Sequence, residues 1–147
     1  MKKVAIASDH AGVAFKAKLQ SLLPDIQWSD LGPTTDASVD YPDFAAKACE
    51  QVTQGKVAAA ILICGSGIGM SIAANKVHGI RAALCTNPFI ARLAREHNDA
   101  NALCLGARFL APEYAAEIAK TFFASEFCGE PRHKTRVQKL ADLEQKQ

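Results

Sequence analysis

The sequence predicts an α/β fold, a three-layer α/β/α arrangement around a parallel sheet of five strands. Three observations predict it. Short apolar runs alternate with longer helical stretches along the chain, a pattern that requires parallel pairing with right-handed crossovers. The run Ala59–Ile63 is apolar at every position, as in a central strand covered on both faces. Polar and glycine residues gather directly after the runs, where open parallel sheets place their ligand sites.

The elements follow in order. Lys3–Ser8 reads as the first strand. Ala11–Leu23 is a helix with Phe15, Leu19, Leu22 and Leu23 on one face, and Pro24 ends it. Gln27–Leu31 is a weaker strand, and Gly32 to Asp40 a polar loop. Pro42 suits the first position of the next helix, with Asp40 or Tyr41 near its cap. That helix is expected to bury Phe44, Ala48 and Val52 and to stop at Gly55. After the central strand, a glycine loop feeds a helix from about Gly69 to Val77, and Ile80–Leu84 is the fourth strand. Asn87-Pro88 is a cap-plus-proline start for a helix to about His97. Ala102–Leu105 is the fifth strand, and Pro112 and Glu113 open a helix up to about Ala124. A break at Gly129–Arg132 precedes a charged terminal helix carrying Val137, Leu140 and Leu143. So few apolar positions suggest packing on a second subunit rather than on its own core. No linker, repeat or low-complexity segment interrupts the chain, so residues 1–147 are expected to form one domain.

Composition excludes several classes. Of 147 residues, 49 % are apolar, which argues against disorder. The formal net charge of +2 is too small to argue for nucleic acid or a membrane surface, and no aromatic-basic interleaving suggests base stacking. The apolar run in MKKVAIASDH stops at Ser8-Asp9, too short for a signal peptide, and no run approaches membrane-spanning length. A cytosolic protein is expected. The five cysteines, Cys49, Cys64, Cys85, Cys104 and Cys128, show no CxxC and no zinc spacing, so free thiols are expected and no metal site. Most should be small core residues, with Cys64 the candidate exception.

The strand exits carry Asp9-His10, Cys64-Gly65-Ser66-Gly67-Ile68-Gly69, Thr86-Asn87 and Gly106-Ala107-Arg108. Two further polar clusters are His97-Asn98-Asp99 and Arg132-His133-Lys134-Thr135-Arg136. His78 precedes Gly79 in a turn and is expected to be solvated. His97 alone reads equally as a basic residue at a helix C-terminus, and Asp9-His10 equally as a helix cap. The glycine loop resists the familiar nucleotide motifs. A dinucleotide fingerprint would need a glycine at Met70 and the first strand; a P-loop would need a lysine after Gly69; a cysteine phosphatase loop would need arginine at Met70. What remains is a loop whose backbone approaches a ligand closely and whose amides attract negative charge, either a thiolate at Cys64 or an oxyanion on a substrate. A base beside an anion hole suits proton abstraction next to a carbonyl. Glycine turns without chemistry are routine, so the loop by itself does not decide.

Taken together, Ala7-Ser8-Asp9-His10-Ala11-Gly12, Asp40-Tyr41-Pro42, Cys64 to Gly69 with Ile72-Ala73-Ala74-Asn75-Lys76, Gly79-Ile80-Arg81-Ala82, His97-Asn98-Asp99-Ala100-Asn101, Gly106-Ala107-Arg108 and Arg132-His133 with Arg136 carry a resemblance. The chain resembles the type B ribose-5-phosphate isomerases, within the wider family that includes allose-6-phosphate and galactose-6-phosphate isomerases, up to about Val137. The resemblance implies a Rossmann-like sheet and a homodimer, possibly a tetramer, whose active sites take residues from both subunits. It implies interconversion of D-ribose 5-phosphate and D-ribulose 5-phosphate in the pentose phosphate pathway, with no metal or cofactor. On this pattern His97, helped by Asp9, opens the sugar ring, and Cys64 moves the proton between C2 and C1. The Gly65–Gly69 amides, those of Gly67 and Ile68 included, hold the cis-enediolate, and Ser66 bonds O1 or O2. Tyr41 and Asn98 line the sugar; His10, Arg132 and Arg136 hold the phosphate, with Arg108 and His133 as further candidates. Some relatives use a glutamate base where this chain has Met70, so Cys64-dependent chemistry is the better reading here. A six-carbon sugar phosphate as substrate, or a sugar-phosphate-binding module without turnover, stay as alternatives.

Overall fold

The computed structural model describes all 147 residues. The strands are β1 (Lys2–Ser8), β2 (Ile26–Asp30), β3 (Ala59–Cys64), β4 (Ala82–Leu84) and β5 (Ala102–Gly106). The helices are α1 (Val13–Leu22), α2 (Tyr41–Thr53), α3 (Ile68–Ala74), α4 (Pro88–Asn98), α5 (Pro112–Ala124) and α6 (Pro131–Glu144), with a 3₁₀ turn over His10–Gly12. All pairs are parallel and the order is β2-β1-β3-β5-β4. The expected five-stranded parallel sheet is therefore present, with β3 at its centre.

Side chains alternate across the pleat. Val4, Ile6, Ile61, Ile63, Leu103 and Leu105 pack against α1, α4 and α5. Their neighbours Ala5, Ala7, Ala60, Leu62, Ala102 and Cys104 pack against α2 and α3. The second face is built largely of alanines, so α2 comes close to the sheet. It buries Ala45, Ala48 and Cys49 fully, while Phe44 and Val52 lie at its margins. Of the expected Phe44, Ala48 and Val52, Ala48 is fully buried as expected, whereas Phe44 and Val52 are only partly buried, because small residues win where helix and sheet approach closely.

Local signals act where expected. Asn87 caps α4 by accepting from the Ile90 amide at 2.9 Å, a contact worth about 1 kcal/mol. The first helix differs: Asp9 accepts from the Ala11 amide and sets a 3₁₀ turn before α1 begins at Val13. The glycine-loop helix is shorter than its sequence pattern, ending at Ala74 rather than Val77, and β4 starts only at Ala82. Asn75 explains both shifts: its side chain donates to Ala82 O and accepts from Ala82 N, closing the turn.

From β1 the chain moves outward to β2 at one edge, crosses back to β3, then steps over to β4 at the far edge and returns to β5 between them. The crevice of a doubly wound sheet opens at such a reversal, beyond the carboxyl ends of the strands. Here that point lies between the ends of β1 and β3, at Asp9 and Cys64. α6 stands apart from the layers. Only His133 of α6 is buried, while Leu140 and Leu143 face outward, and Glu144 accepts from the Gly79 amide at 2.9 and 3.0 Å. No helix is long and apolar enough to cross a membrane.

Candidate active site

β3 delivers Cys64 to the carboxyl edge of the sheet, where its side chain is almost enclosed, at 4 % exposure. The loop then turns back on the sulfur. Gly67 takes the left-handed conformation (φ 79°), and its N–H donates to Cys64 Sγ at 3.2 Å. Glycine is required here twice over. A Cβ would sit 2.5 Å from Leu84 Cδ1 and 3.0 Å from the Leu105 carbonyl carbon, and the backbone conformation itself disfavours side chains. Ser66 Oγ accepts from the Ile68 amide at 3.1 Å, which fixes the hydroxyl and leaves its proton free to donate. The amides of Gly65, Ser66 and Gly69 donate to nothing within the chain. Three unused main-chain donors thus surround a thiol that already accepts one N–H, an arrangement that stabilises negative charge on or beside the sulfur.

Other loops close the surround. Asp9, 8 % exposed, is tied to the neighbouring strand by its N–H to Ile63 O at 3.0 Å. His10 Nδ1 accepts from the Val39 amide at 3.2 Å, so the loop after β2 leans over the start of the first helix. The Tyr41 ring stands over Gly69, close enough that a Cβ there would lie 2.6 Å from it. The Arg108 guanidinium packs over Gly65 in the same way, and it forms no ion pair. Asp9, His10, Tyr41, Cys64, Gly65, Ser66, Gly67, Ile68, Gly69 and Arg108 therefore share one edge.

The remaining sequence-predicted residues lie elsewhere. Helices here run back against the strands, so α4 carries His97 and Asn98 to the amino edge of the sheet. Ala60 N–H donates to Asn101 O, and Cys64 lies four residues further along β3. At the rise of a strand, that alone separates the two edges by about 13 Å. α6 joins His97 at this end: the His133 ring stacks on His97, centroids 4.3 Å apart and planes within 9°. Arg132 and Arg136 are exposed on the same helix turn. Within one chain the sequence-predicted residues thus form two separate groups at opposite edges of the sheet.

His133 packs against His97 rather than standing on the open surface. It is buried, and its Nε2 finds no partner in the chain. Burial lowers its pKa below the ordinary histidine value, with His97, Arg132 and Arg136 acting the same way and Glu130 opposing them. A base with a lowered folded-state pKa binds fewer protons folded than unfolded, so stability falls as pH drops from 6.5 through the lowered value. The melting temperature of the protein is expected to decline over that interval, and His133→Phe, which keeps the stack, should flatten the decline. An unchanged slope in His133→Phe would assign the acid sensitivity to another group.

Sequence reasoning missed what fixes the His97 end. Asp99 (φ 46°) ends α4, and its carboxylate holds Arg81 at 3.0 Å and Arg95 at 3.1 Å. Arg81 Nε also donates to the carbonyls of Asn98 and Asp99. The only sequence signal was Arg81 standing in one polar motif and Asp99 in another. The thiols sort more simply. Cys49, Cys85 and Cys104 are core residues as expected, and burial pushes Cys49 and Cys85 up to about 12 and Cys104 well above the ordinary range. Cys128 departs from expectation and is exposed. His78 is exposed, as its turn suggests.

Comparison with known proteins places this geometry in context. A sequence model of the family described as Ribose/Galactose Isomerase matches residues 4–140. The chain is 50 % identical over 147 residues to YwlF of Bacillus subtilis, whose name assigns it provisionally to the sugar phosphate isomerases; 98 % of each chain is covered. It is 38 % identical over 148 residues to ribose-5-phosphate isomerase B of Escherichia coli, with 99 % of each covered. Among solved structures, ribose-5-phosphate isomerase B of Clostridium thermocellum superposes with a TM-score of 0.95 at 47 % identity, covering 98 % of each chain.

Proposed function

The chain belongs to the ribose/galactose isomerase family, and from that premise we propose that it interconverts D-ribose 5-phosphate and D-ribulose 5-phosphate through a cis-enediolate. One observation carries the chemistry: a thiol at the sheet's switch point, receiving one amide and bordered by three more that are unused. The Cys64 thiolate removes the proton from C2 and returns it to C1. The Gly65, Ser66 and Gly69 amides take up the oxyanion charge, and Ser66 Oγ donates to O1 or O2. Tyr41 walls the sugar. His10 and the unpaired Arg108 supply donors for the phosphate, together with Arg132 and Arg136. His97, with Asp9 across the site, passes the proton that opens the ring, and Asn98 bonds a sugar hydroxyl. His133 serves His97 as a flat neutral platform.

This scheme requires a second copy. Within one chain His97 and Cys64 stand at opposite edges of the sheet, so the partner's amino edge must meet this chain's carboxyl edge. A two-fold axis then builds two shared sites at once. The surfaces suit burial: Ile68 and Ile72 on α3, Phe89 at the start of α4 and Phe109 after β5 are all more than half exposed.

Turnover of ribose 5-phosphate, compared with allose 6-phosphate and galactose 6-phosphate as kcat/KM, tests the substrate. A preference for a six-carbon sugar would move the assignment within the family. Reaction in D2O tests the chemistry. Neither isomerisation nor deuterium at C2 would leave a binding module in place of an enzyme.

A further inference from the structure

Lys16 is the one lysine that the fold buries, and the proposed chemistry gives it no part. It sits on α1, one turn beyond the 3₁₀ segment that begins with His10. Its Nζ lies 2.6 Å from Asp30 Oδ1 and 2.9 Å from the Pro33 carbonyl oxygen, with the side chain 4 % exposed. The same Asp30 oxygen accepts from the Gly32 amide at 2.8 Å, and Gly32 O accepts from the Ser8 amide at 3.1 Å. The root of the Gly32–Asp40 loop is therefore fixed to both β1 and α1 through one buried cation. Further along, that loop presents the Val39 N–H to His10 Nδ1 at 3.2 Å and then delivers Tyr41 over Gly69.

The Val39 contact has a definite chemical content. A main-chain N–H can only donate, so Nδ1 must be the lone-pair nitrogen and the ring proton must sit on Nε2. Nε2 makes no hydrogen bond within the chain and is not among the enclosed unpartnered atoms. It is the face of His10 left for a ligand, and it offers one N–H.

We propose that Lys16 is a positioning residue for His10: by clamping Asp30 and the Pro33 carbonyl it holds the Gly32–Asp40 loop so that Val39 selects the Nε2–H tautomer, which then donates to the substrate phosphate. The proposal rests on the sugar-phosphate reading of His10. It makes the loop after β2, rather than the histidine alone, part of the recognition of phosphate. Without the clamp the loop loosens, Nδ1 loses its donor, and the ring populates both tautomers and other orientations.

The test combines kinetics with imidazole ¹⁵N NMR. Lys16→Met is expected to raise KM for ribose 5-phosphate about tenfold while kcat stays within about threefold, the mark of lost binding rather than lost chemistry. The His10 resonances, assigned by their absence in His10→Gln, should show the Nε2–H form in the parent protein and a mixture in Lys16→Met. A lower melting temperature with unchanged KM and unchanged tautomer would overturn the proposal and leave Lys16 a purely structural residue. Should Lys16→Met fail to fold, Asp30→Asn weakens the same clamp at a partly exposed position and must give the same pair of changes. If the parent protein does not turn over ribose 5-phosphate, the sugar-phosphate reading fails instead. The tautomer measurement, repeated with inorganic phosphate as ligand, still decides whether Lys16 sets the state of His10.

Discussion

Cys64→Ala is expected to lower kcat by about a thousandfold or more while leaving the affinity for ribose 5-phosphate nearly intact. The size follows from the role: removing a positioned general base typically costs two to four orders of magnitude, and no neighbouring group can replace this one. Met70, on the helix that follows the loop, is neutral and fully buried. Asp9 uses one carboxylate oxygen to accept from the Ala11 amide and is proposed to serve ring opening rather than C2. The affinity should survive because the proposed phosphate donors, His10 and the arginines, sit on other elements. Alanine removes the Gly67 N–H contact to the sulfur but leaves the close approach of Gly67 to Leu84 and Leu105, so the loop is expected to keep its course. Cys49, Cys85 and Cys104 are locked as thiols by burial, and the exposed Cys128 is a control whose replacement by serine should change nothing. Single-turnover rates and equilibrium binding measured on the two variants separate the effects. A Cys64→Ala protein that retains parental kcat would remove the sulfur from the chemistry. One that loses binding and turnover in parallel would make it a structural residue of the loop.

How much of this was legible in the residues differs from element to element. The parallel sheet was legible because each apolar run is short and several helices begin at a local signal such as Asn87-Pro88 or Pro112-Glu113. The carboxyl-edge half of the site was legible for the same reason. Glycines spaced around one cysteine at the end of a buried strand constrain the backbone locally, and local constraints show in sequence. Contacts between distant segments did not show. Nothing in the polar pattern of α6 marks His133, its single buried residue, as the partner of His97. Val39 acts through its backbone, which carries no residue signature at all. Lys16 reads as one more charge on an amphipathic helix until Asp30 and Pro33 are found around it. In α2 the residues pointed correctly to Ala48 but placed Phe44 and Val52 too deep, because close approach to the alanine-rich face of the sheet selects Ala45 and Cys49 instead.

The second large effect concerns the two edges. Cys64→Ala and His97→Asn chains, each nearly inactive on cyclic ribose 5-phosphate when pure, are expected to regain activity when unfolded together and refolded as a mixture. If each site joins Cys64 of one chain to His97 of its partner, a mixed dimer contains one site with both defects and one with neither. Random pairing of equal amounts makes half the dimers mixed, so about one quarter of the parental sites should return. Sites contained within a single chain would each keep one defect in every pairing, and mixing would restore nothing. The distance between the edges argues for the first outcome: about 13 Å of strand separates the level of Asn101 from Cys64, and no rearrangement of His97 spans it. Asp99 makes such a rearrangement harder still, because its ion pairs to Arg81 and Arg95 fix the end of α4 that carries the histidine. His97→Asn suits the test because it removes the proton carrier without adding charge beside Arg132 and Arg136. Its own defect should be much smaller on an open-chain substrate analogue, since ring opening is the step proposed for it. Recovery in the mixture together with that selective defect would place His97 across the interface from the thiol. Absence of recovery, with both variants folded and dimeric, would require Cys64 to work without a histidine from the partner.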